Sequence, residues 1–243
     1  MNNEQKVALV TGGNRGLGFE TCRQLGRQGF KVILSSRDID KGKEKEDILR
    51  AEGLDVFAMQ LDVTDPDNIL TVKSKIEEKY KRLDVLINNA GLMLDPLPEK
   101  GKTPSKSLQQ YQETFRDTMD VNVIGAFLMC EAFTTMMRRQ NYGRIVNVSS
   151  ILGQMSSIST GGFPAYRISK VGLNAVTLYF SSYFRGFNVL INSISTGWVK
   201  TDMGGYTATR SLEEGTQTII WAATLPDNGP NGSFLHDKEP ISW

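Results

Sequence analysis

Residue types that mark particular kinds of site are scarce in this sequence of 243 residues. It has two cysteines and one histidine, and no metal-ligand spacing of His, Cys, Asp and Glu is present. Cys22 and Cys130 both lie in segments that we predict to be helical, so we expect buried, reduced thiols rather than a disulfide or a nucleophile. His236 lies near the C-terminus, where we expect a surface role and no Ser-His-Asp triad. We expect no metal.

An excess of charge of either sign is also missing. The chain has 28 basic and 27 acidic residues and a net charge of +1, which gives no basis for a nucleic-acid or membrane-surface partner. Residues 1–6 are polar and run into an apolar strand, so no signal-peptide core is present. No apolar run approaches the roughly 18 residues that span a bilayer. We therefore expect a cytoplasmic protein with no nucleic-acid or membrane partner.

Apolar strands alternate with helices almost to the end of the chain. The predicted strands are residues 6–11, 30–35, 55–60, 83–88, 144–149 and 188–193, with a short edge strand at 232–235. The predicted helices are residues 18–28, 38–51, 66–80, 114–139, 164–184 and 212–223. This alternation implies right-handed crossovers and a mostly parallel, doubly wound α/β sheet.

Nothing in the sequence divides the chain, since it contains neither a repeat nor a low-complexity linker. We expect a single domain over residues 1–243. The segment 95–107 is predicted to be an exposed connector, and a substrate lid is the alternative interpretation.

The most informative motif follows the first predicted strand directly. Residues 11–18 read TGGNRGLG, so an apolar strand breaks into glycines and restarts as a helix. Glycines permit tight turning and close approach, and the helix N-terminus adds partial positive charge where a phosphate would lie. Although such a turn is weak evidence alone, further motifs follow it in order. The candidate cofactor-binding residues in this turn are Gly12, Asn14, Arg15, Gly16, Leu17 and Gly18.

A second motif pairs a phenol with an amine. Tyr166 and Lys170 are four residues apart, so on a helix they share one face about 6 Å apart. A free phenol has a pKa of about 10, too high for ready proton exchange at neutral pH. A nearby ammonium favours the phenolate, so we expect Lys170 to lower the pKa of Tyr166. The pair follows the β-branched strand that ends in Ser149 and Ser150.

Together these motifs resemble the short-chain dehydrogenase/reductase family over nearly the whole chain. The family's glycine pattern matches residues 11–18, its post-strand motif matches residues 88–91 (Asn-Asn-Ala-Gly), and its serine and Tyr-x-x-x-Lys motifs match Ser149-Ser150 and Tyr166…Lys170. Residues 197–203 and the Gly-x-Phe…Trp tail are similar to the carbonyl reductase subgroup. The resemblance implies a single-domain Rossmann-type fold with helices on both faces of the sheet.

The resemblance also implies catalytic roles. Ser150 would hydrogen-bond the substrate carbonyl oxygen, with Ser149 as the structural alternative. Tyr166 would deliver the proton, and Lys170 would lower its pKa and hold the nicotinamide ribose. Asn122 matches the family's fourth active-site residue, which holds a water in a proton relay; an ordinary polar helix residue is the other interpretation.

Cofactor preference should be decided after the second strand, where an acid accepts from the ribose 2′-OH of NAD and cations suit a 2′-phosphate. The sequence has Ser36 at that position and Arg37 after it, and Arg15 is able to reach the same phosphate. Asp38 is a possible acid, but we interpret it as the N-cap of the next helix. These residues predict NADP(H).

The rest of the expected cofactor site follows later strands. Thr196 stands where relatives usually carry a proline, which puts the rigidity of that loop in question. The further cofactor-binding candidates, beside Tyr166 and Lys170, are Asp62 and Val63 for the adenine, Asn88, Ala90 and Gly91 for the ribose side, and Gly197, Val199 and Thr201 after the sixth strand.

The sequence thus predicts NADPH-dependent reduction of a small-molecule ketone or aldehyde. The alternatives are a 3-oxoacyl-thioester reductase and a non-catalytic NADP(H)-sensing protein. A homodimer or homotetramer is expected, because many relatives pair their long helices. Residues able to form an apolar substrate pocket, or equally to pack in the core, are Met93, Met155, Phe163, Trp198, Met203 and Tyr206.

Overall fold

A computed structural model describes residues 5–96, 106–158 and 162–243. In the described residues, eight strands form one sheet in the order β3-β2-β1-β4-β5-β6-β7-β8, parallel except for the last pair. The predicted mostly parallel, doubly wound α/β sheet is confirmed. The strands are β1 Val7–Val10, β2 Lys31–Ser36, β3 Val56–Gln60, β4 Val85–Asn88, β5 Gly143–Ser149, β6 Val189–Ser195, β7 Phe234–His236 and β8 Glu239–Pro240.

Strand order reverses beside β1. This strand lies between β2 and β4, with Val10 level with Leu34 on one side and with Ile87 on the other. In sheets of this kind the reversal opens a crevice at the carboxyl ends of the strands. All the sequence motifs described above follow strand ends on this side.

The helices cover the two faces of the sheet in separate layers. Helices α3 and α5–α6 pack on one face, and helices α1, α2 and α7 pack on the other, each layer with its own cluster of buried apolar side chains. The helices are α1 Gly16–Arg27, α2 Ile39–Ala51, α3 Pro66–Tyr80, α4 Leu108–Met119, α5 Ala126–Arg139, α6 Pro164–Tyr183 and α7 Leu212–Ala223.

Two predicted helix starts are confirmed. Asp38 accepts from the N–H groups of Asp40 and Lys41, and Asp65 accepts from those of Asp67 and Asn68. Each carboxylate satisfies donors that the first turn leaves free. The interpretation of Asp38 as an N-cap therefore holds.

The long helix differs from its prediction at two points. It begins at Leu108 rather than at residue 114. Ser107 and Gln110 form a capping box at this observed start. Residues 108–113 are mostly polar, so they show no apolar periodicity that would reveal a helix. A π-helical turn, Asp120–Gly125, separates α4 from α5. It packs closely on the chain after β3, since a Cβ on Gly125 would lie 2.7 Å from a methyl group of Val63.

Residues Leu108–Arg139 are long and apolar enough, by length and composition alone, to cross a membrane. A buried core helix passes the same test, and α5 packs against α3, α6 and β5.

The substrate-lid alternative for segment 95–107 falls largely on residues 97–105, which lie outside the described residues.

Candidate active site

A cavity of about 1000 Å³ opens at the carboxyl ends of the strands. It joins the glycine turn at one end to Tyr166 at the other. Of the predicted site residues, all except Asn88 and Asn122 line it, namely Gly12, Asn14, Arg15, Gly16, Leu17, Gly18, Arg37, Asp62, Val63, Ala90, Gly91, Ser150, Tyr166, Lys170, Gly197, Val199 and Thr201.

The glycine turn has the conformation that its sequence requires. Gly12 and Gly16 have φ of 64° and 52°, in the left-handed region that glycine enters freely. A Cβ on Gly18 would overlap the Gly12 carbonyl oxygen, so only glycine permits this packing. Helix α1 starts here with no side-chain cap and no acid in its first turn. An uncapped helix start facing a cavity suits a pyrophosphate.

Thr11 and Asn89 connect this turn to the loop after β4. The Thr11 hydroxyl accepts from the N–H groups of Asn89 and Ala90 at 3.0 and 2.9 Å. The Asn89 amide donates to the carbonyl oxygens of Thr11 and Gly12 at 2.8 and 3.1 Å. Neither residue was among the candidates, although both lie inside the quoted motifs.

Charged side chains of both signs line the cavity where the 2′-phosphate of NADP(H) is expected, and the cations among them are Arg37, Lys41 and Lys45. Ser36 is buried, and Arg37 and Lys41 line the cavity beside it. The sequence analysis missed Lys41, which lies in the first turn of α2, just after the predicted N-cap Asp38. Arg15 is paired with Asp202 across the cavity mouth at 3.1 Å, and both side chains are exposed.

Tyr166 is buried, with 8% of its surface exposed. Burial raises the pKa of Tyr166 to about 12, and a hydrogen bond with Ser150 opposes this rise. The expected lowering by Lys170 is not found, since the contribution that opposes burial comes from Ser150. The Lys170 Nζ lies 5.4 Å from the centre of the Tyr166 ring.

Lys170 lines the cavity and is otherwise buried. Its Nζ donates to the Val148 carbonyl oxygen at 2.8 Å. Burial lowers the pKa of Lys170 to about 8, because the charged form loses its water. A Cβ on Gly153 would lie 2.6 Å from the Lys170 Cβ, so the turn after β5 packs tightly on this residue.

The two serines face different surroundings. Ser150 lines the cavity, and its Oγ accepts from the N–H of Leu152 at 3.1 Å. The Ser149 Oγ is buried and donates to the Asn174 Oδ1 at 2.7 Å. This placement favours Ser150 as the reactive serine and a structural role for Ser149.

Asn122 lies behind the cavity wall in the π-helical turn. Its side chain bonds both the N–H and the carbonyl oxygen of Leu92, at 2.7 and 2.8 Å, and also Ser169. A Cβ on Gly91 would lie 3.3 Å from the Asn122 Oδ1 and 3.7 Å from the Lys170 Nζ. Gly91 thus lies between the two side chains.

Asn88 is placed differently from its prediction, because its side chain does not reach the cavity. The Asn88 amide donates to the Asn147 Oδ1 at 2.8 Å and contacts the Cys130 sulfur at 3.3 Å. Asn147 in turn donates to Thr177. These bonds hold the Asn88 side chain in the buried layer between the sheet and α6.

Apolar side chains form one part of the cavity lining, which we call the apolar wall. Of the predicted pocket residues, Met93, Phe163, Trp198 and Met203 line it. Met155 and Tyr206 do not, and Tyr206 is 100% exposed. The wall is completed by Leu92, Ile151 and Leu152.

Arg210 was not predicted from the sequence, yet it shapes the loop after β6. A Cβ on Gly197 (φ 73°) would lie 2.7 Å from the Arg210 Nε, so the side chain lies against this glycine. Arg210 also donates to the Thr196 carbonyl oxygen at 3.3 Å. Arg210 therefore supports the loop at Thr196 and Gly197, which lacks the usual proline.

The remaining titratable residues of interest lie outside the cavity. Both cysteines are buried and free, as predicted, and burial raises the pKa of each thiol. His236 is half-buried rather than a free surface residue, with Nδ1 3.0 Å from the Ser195 carbonyl oxygen. Among the described residues, no group of three or more His, Cys, Asp or Glu side chains is placed to hold a metal ion.

Comparison with known sequences and structures agrees with this geometry. The sequence model of the short chain dehydrogenase family matches residues 6–211. The chain is 31% identical to (+)-neomenthol dehydrogenase of Capsicum annuum, with 96% of each chain covered. It is also 31% identical to carbonyl reductase [NADPH] 1 of Mus musculus, with 100% of each covered.

Solved structures agree as well. Carbonyl reductase Sniffer of D. melanogaster superposes with a TM-score of 0.85 at 28% identity, covering 99% of this chain and 100% of that one. An NADPH-bound carbonyl reductase from chicken fatty liver gives 0.82 at 25% identity, covering 98% and 99%. The chain therefore belongs to the short-chain dehydrogenase family, as its motifs predicted, and its similarity places it in the carbonyl reductase subgroup.

Proposed function

We propose that this protein reduces a ketone or an aldehyde to an alcohol, with NADPH as the hydride donor. It is an NADP-dependent oxidoreductase of the family named above, and its relatives include carbonyl reductases named for NADPH. One observation carries the proposed chemistry. Tyr166, Ser150 and Lys170 line the same cavity as the glycine turn, and the Lys170 Nζ lies 5.4 Å from the centre of the Tyr166 ring.

The residues present fit the cofactor. The uncapped start of α1 suits the pyrophosphate, and Arg37 with Lys41 suits the 2′-phosphate. Asp62 and Val63 would contact the adenine, and Gly197, Val199 and Thr201 the nicotinamide side. When bound, NADPH supplies the hydride that reduces the carbonyl carbon.

Ser150 and Tyr166 act on the carbonyl oxygen. The Ser150 hydroxyl donates a hydrogen bond that orients the carbonyl, and the Tyr166 hydroxyl gives its proton to the oxygen as negative charge develops there. A phenol is protonated at neutral pH even at its ordinary pKa of about 10, and burial raises the pKa of Tyr166 further. A protonated phenol is the form that a reductase needs.

Lys170 and Asn122 support the proton transfer. The Lys170 ammonium stabilises the negative charge left on Tyr166 and binds the nicotinamide ribose. Asn122 holds Leu92, and therefore Gly91, beside Lys170. The missing side chain of Gly91 supports a relay from Lys170 towards a water near Asn122.

The apolar wall supports a bulky hydrophobic carbonyl compound as substrate. The test is carbonyl-dependent oxidation of NADPH, run beside NADH, on aromatic ketones, aldehydes, diketones, steroids and an acyl thioester. We expect turnover with NADPH on hydrophobic ketones or aldehydes. Turnover confined to the acyl thioester would favour a 3-oxoacyl-thioester reductase. Tight NADPH binding without any turnover would favour the cofactor sensor.

The compartment and the assembly are part of the proposal. We place the protein in the cytoplasm, without a nucleic-acid or membrane partner. Pairing of α5 and α6 with a second copy would give the homodimer or homotetramer, and exposed Tyr179 and Tyr183 on α6 support it. Sedimentation of the purified chain tests the assembly.

A further inference from the structure

Helix α6, which carries Tyr166, begins without a capping side chain of its own. Phe163 precedes it in the left-handed region, with φ 53° and ψ 48°, and makes no side-chain cap. Pro164 has no N–H group, and the N–H of Arg167 bonds the Phe163 carbonyl oxygen at 2.8 Å. The N–H groups of Ala165 and Tyr166 are therefore the donors of this turn that need a partner from elsewhere.

Asp95 supplies that partner from a distant part of the chain. Its Oδ1 accepts from the N–H of Ala165 at 3.2 Å, across 70 residues. Its Oδ2 accepts from the N–H of Tyr166 at 2.8 Å. A carboxylate at this position also meets the positive end of the helix dipole. Asp95 thus does for α6 what an N-cap residue does for other helices.

Burial makes this contact more than a surface cap. Asp95 is only 7% exposed, so water does not solvate its charge. A buried carboxylate depends on the donors that bond it, and here these are two N–H groups of one helical turn. The carboxylate and the start of α6 therefore hold each other in place.

Asp95 also ends the stretch that forms the apolar wall. Leu92 and Met93 line the cavity, and Asn122 fixes Leu92 through both of its backbone groups. The Lys106 Nζ donates to the Leu94 carbonyl oxygen at 3.3 Å. Asp95 is thus the point where the wall is joined to the backbone of Tyr166.

We propose that Asp95 is a positioning residue for the reduction, fixing the Tyr166 hydroxyl relative to the wall that Leu92 and Met93 form. It acts through the Tyr166 backbone and touches no reacting atom. Placement decides the rate of proton transfer, and a misplacement of about 1 Å costs on the order of 100-fold. This role rests on the proposed function, since it presumes that Tyr166 is the proton donor.

The test is Asp95→Asn, which removes the charge and one acceptor at nearly constant volume. We expect kcat for carbonyl reduction to fall by about 10-fold or more, while the Kd for NADPH, measured by fluorescence titration, stays within about twofold. Amide exchange at Tyr166 should become faster. Asp95→Glu keeps the charge but lengthens the side chain, and kcat should fall here too.

Asp65→Asn is the matched control. Asp65 also accepts from two N–H groups at a helix start, at 3.0 and 3.1 Å, but on α3. We expect this variant to lose thermal stability with kcat unchanged.

Wild-type kcat in both Asp95→Asn and Asp95→Glu would overturn the positioning role and leave an ordinary cap. If Asp95→Asn fails to fold, Asp95→Glu decides alone. A wild-type protein that reduces no carbonyl would instead overturn the proposed function itself, together with this role.

Discussion

Arg210 and Asp237 form a bidentate ion pair, with Nη1 2.6 Å from Oδ1 and Nη2 2.7 Å from Oδ2. Asp237 lies in the tight turn between β7 and β8, and Arg210 lies against Gly197 in the loop after β6. The pair therefore ties the loop that borders the cavity to the C-terminal strands. It supplies a constraint where Thr196 replaces the usual proline.

Removing this pair should loosen the loop. In Arg210→Ala we expect the KM for the carbonyl substrate to rise several-fold, with a smaller change in kcat, because Trp198 and Met203 lose their fixed place in the wall. Since Asp237 is half-exposed, the coupling in a double-mutant cycle with Asp237→Ala should be about 0.2–1 kcal/mol. Arg50→Ala, which breaks an exposed pair with Glu46 away from the cavity, is the control. An unchanged KM in Arg210→Ala would contradict the loop's dependence on the pair.

Tyr166→Phe should remove the proton donor while keeping the ring. We expect turnover to fall by roughly 10²–10⁴-fold, the usual contribution of general acid catalysis, with NADPH binding unchanged. Steady-state kinetics and a fluorescence titration measure the two effects. Tyr179→Phe, on the exposed side of the same helix, should leave turnover unchanged. Near wild-type turnover in Tyr166→Phe would remove this residue from the mechanism.

Activity should fall as the pH rises through about 8. Burial lowers the pKa of Lys170 to about 8, so its ammonium is lost above that pH and Tyr166 becomes a weaker acid. The profile of kcat/KM for NADPH, which reports the free enzyme, measures this limb. Lys170→Arg keeps its charge and should lack the limb. A flat wild-type profile up to pH 10 would contradict the assignment.

The same lowered pKa has a consequence for stability. Between about pH 8 and 10.5 the unfolded chain holds more protons on Lys170 than the folded chain, so this residue's contribution to the unfolding free energy rises with pH. Tyr166, whose pKa is raised from 10.0 to about 12, acts in the opposite direction above pH 10. Denaturant titrations of the wild type and Lys170→Met between pH 7 and 10 isolate the contribution of Lys170 to the unfolding free energy.

Cations at the start of α2 should set the preference for NADPH. We expect Arg37→Ala and Lys41→Ala each to raise the KM for NADPH by about 10-fold, since a charge-assisted hydrogen bond contributes roughly 1.5–3 kcal/mol. The KM for NADH should change little, because it has no 2′-phosphate. Lys43→Ala removes a charge from the same helix outside the cavity and serves as the control. Equal losses with NADPH and NADH would contradict the assignment.

Gly18→Ala should abolish cofactor binding. The added Cβ would overlap the Gly12 carbonyl oxygen, so the turn and the start of α1 must move apart. Gly42→Ala is the matched control, because a Cβ there meets its nearest neighbours at 3.4 Å in the first turn of α2. It should bind NADPH normally and gain up to about 1 kcal/mol of stability. Normal binding by Gly18→Ala would contradict the packing of the turn.

Much of the fold was predictable because its signals are local. The alternation of apolar strands with helices predicted a parallel sheet, and Asp65 with Pro66 predicted the start of α3 within one residue. The start of α4 was not predictable from apolar periodicity, since Leu108 and the polar residues after it face solvent. The π-helical turn was not predictable either, because it depends on how Gly125 packs against Val63.

The candidate site also has a part that local patterns predict and a part that only tertiary packing determines. The sequence alone indicated the family and the cofactor class, and nearly all of the site residues it predicted line the cavity, because a phosphate turn and a Tyr-x-x-x-Lys pair are local patterns. Only the tertiary structure decided that burial governs the pKa values of Tyr166 and Lys170. It also brought Asp95 to the start of α6 and Arg210 to Gly197, and it kept Asn88 out of the cavity. These contacts join residues far apart in the chain, and no local pattern encodes the packing that brings them together.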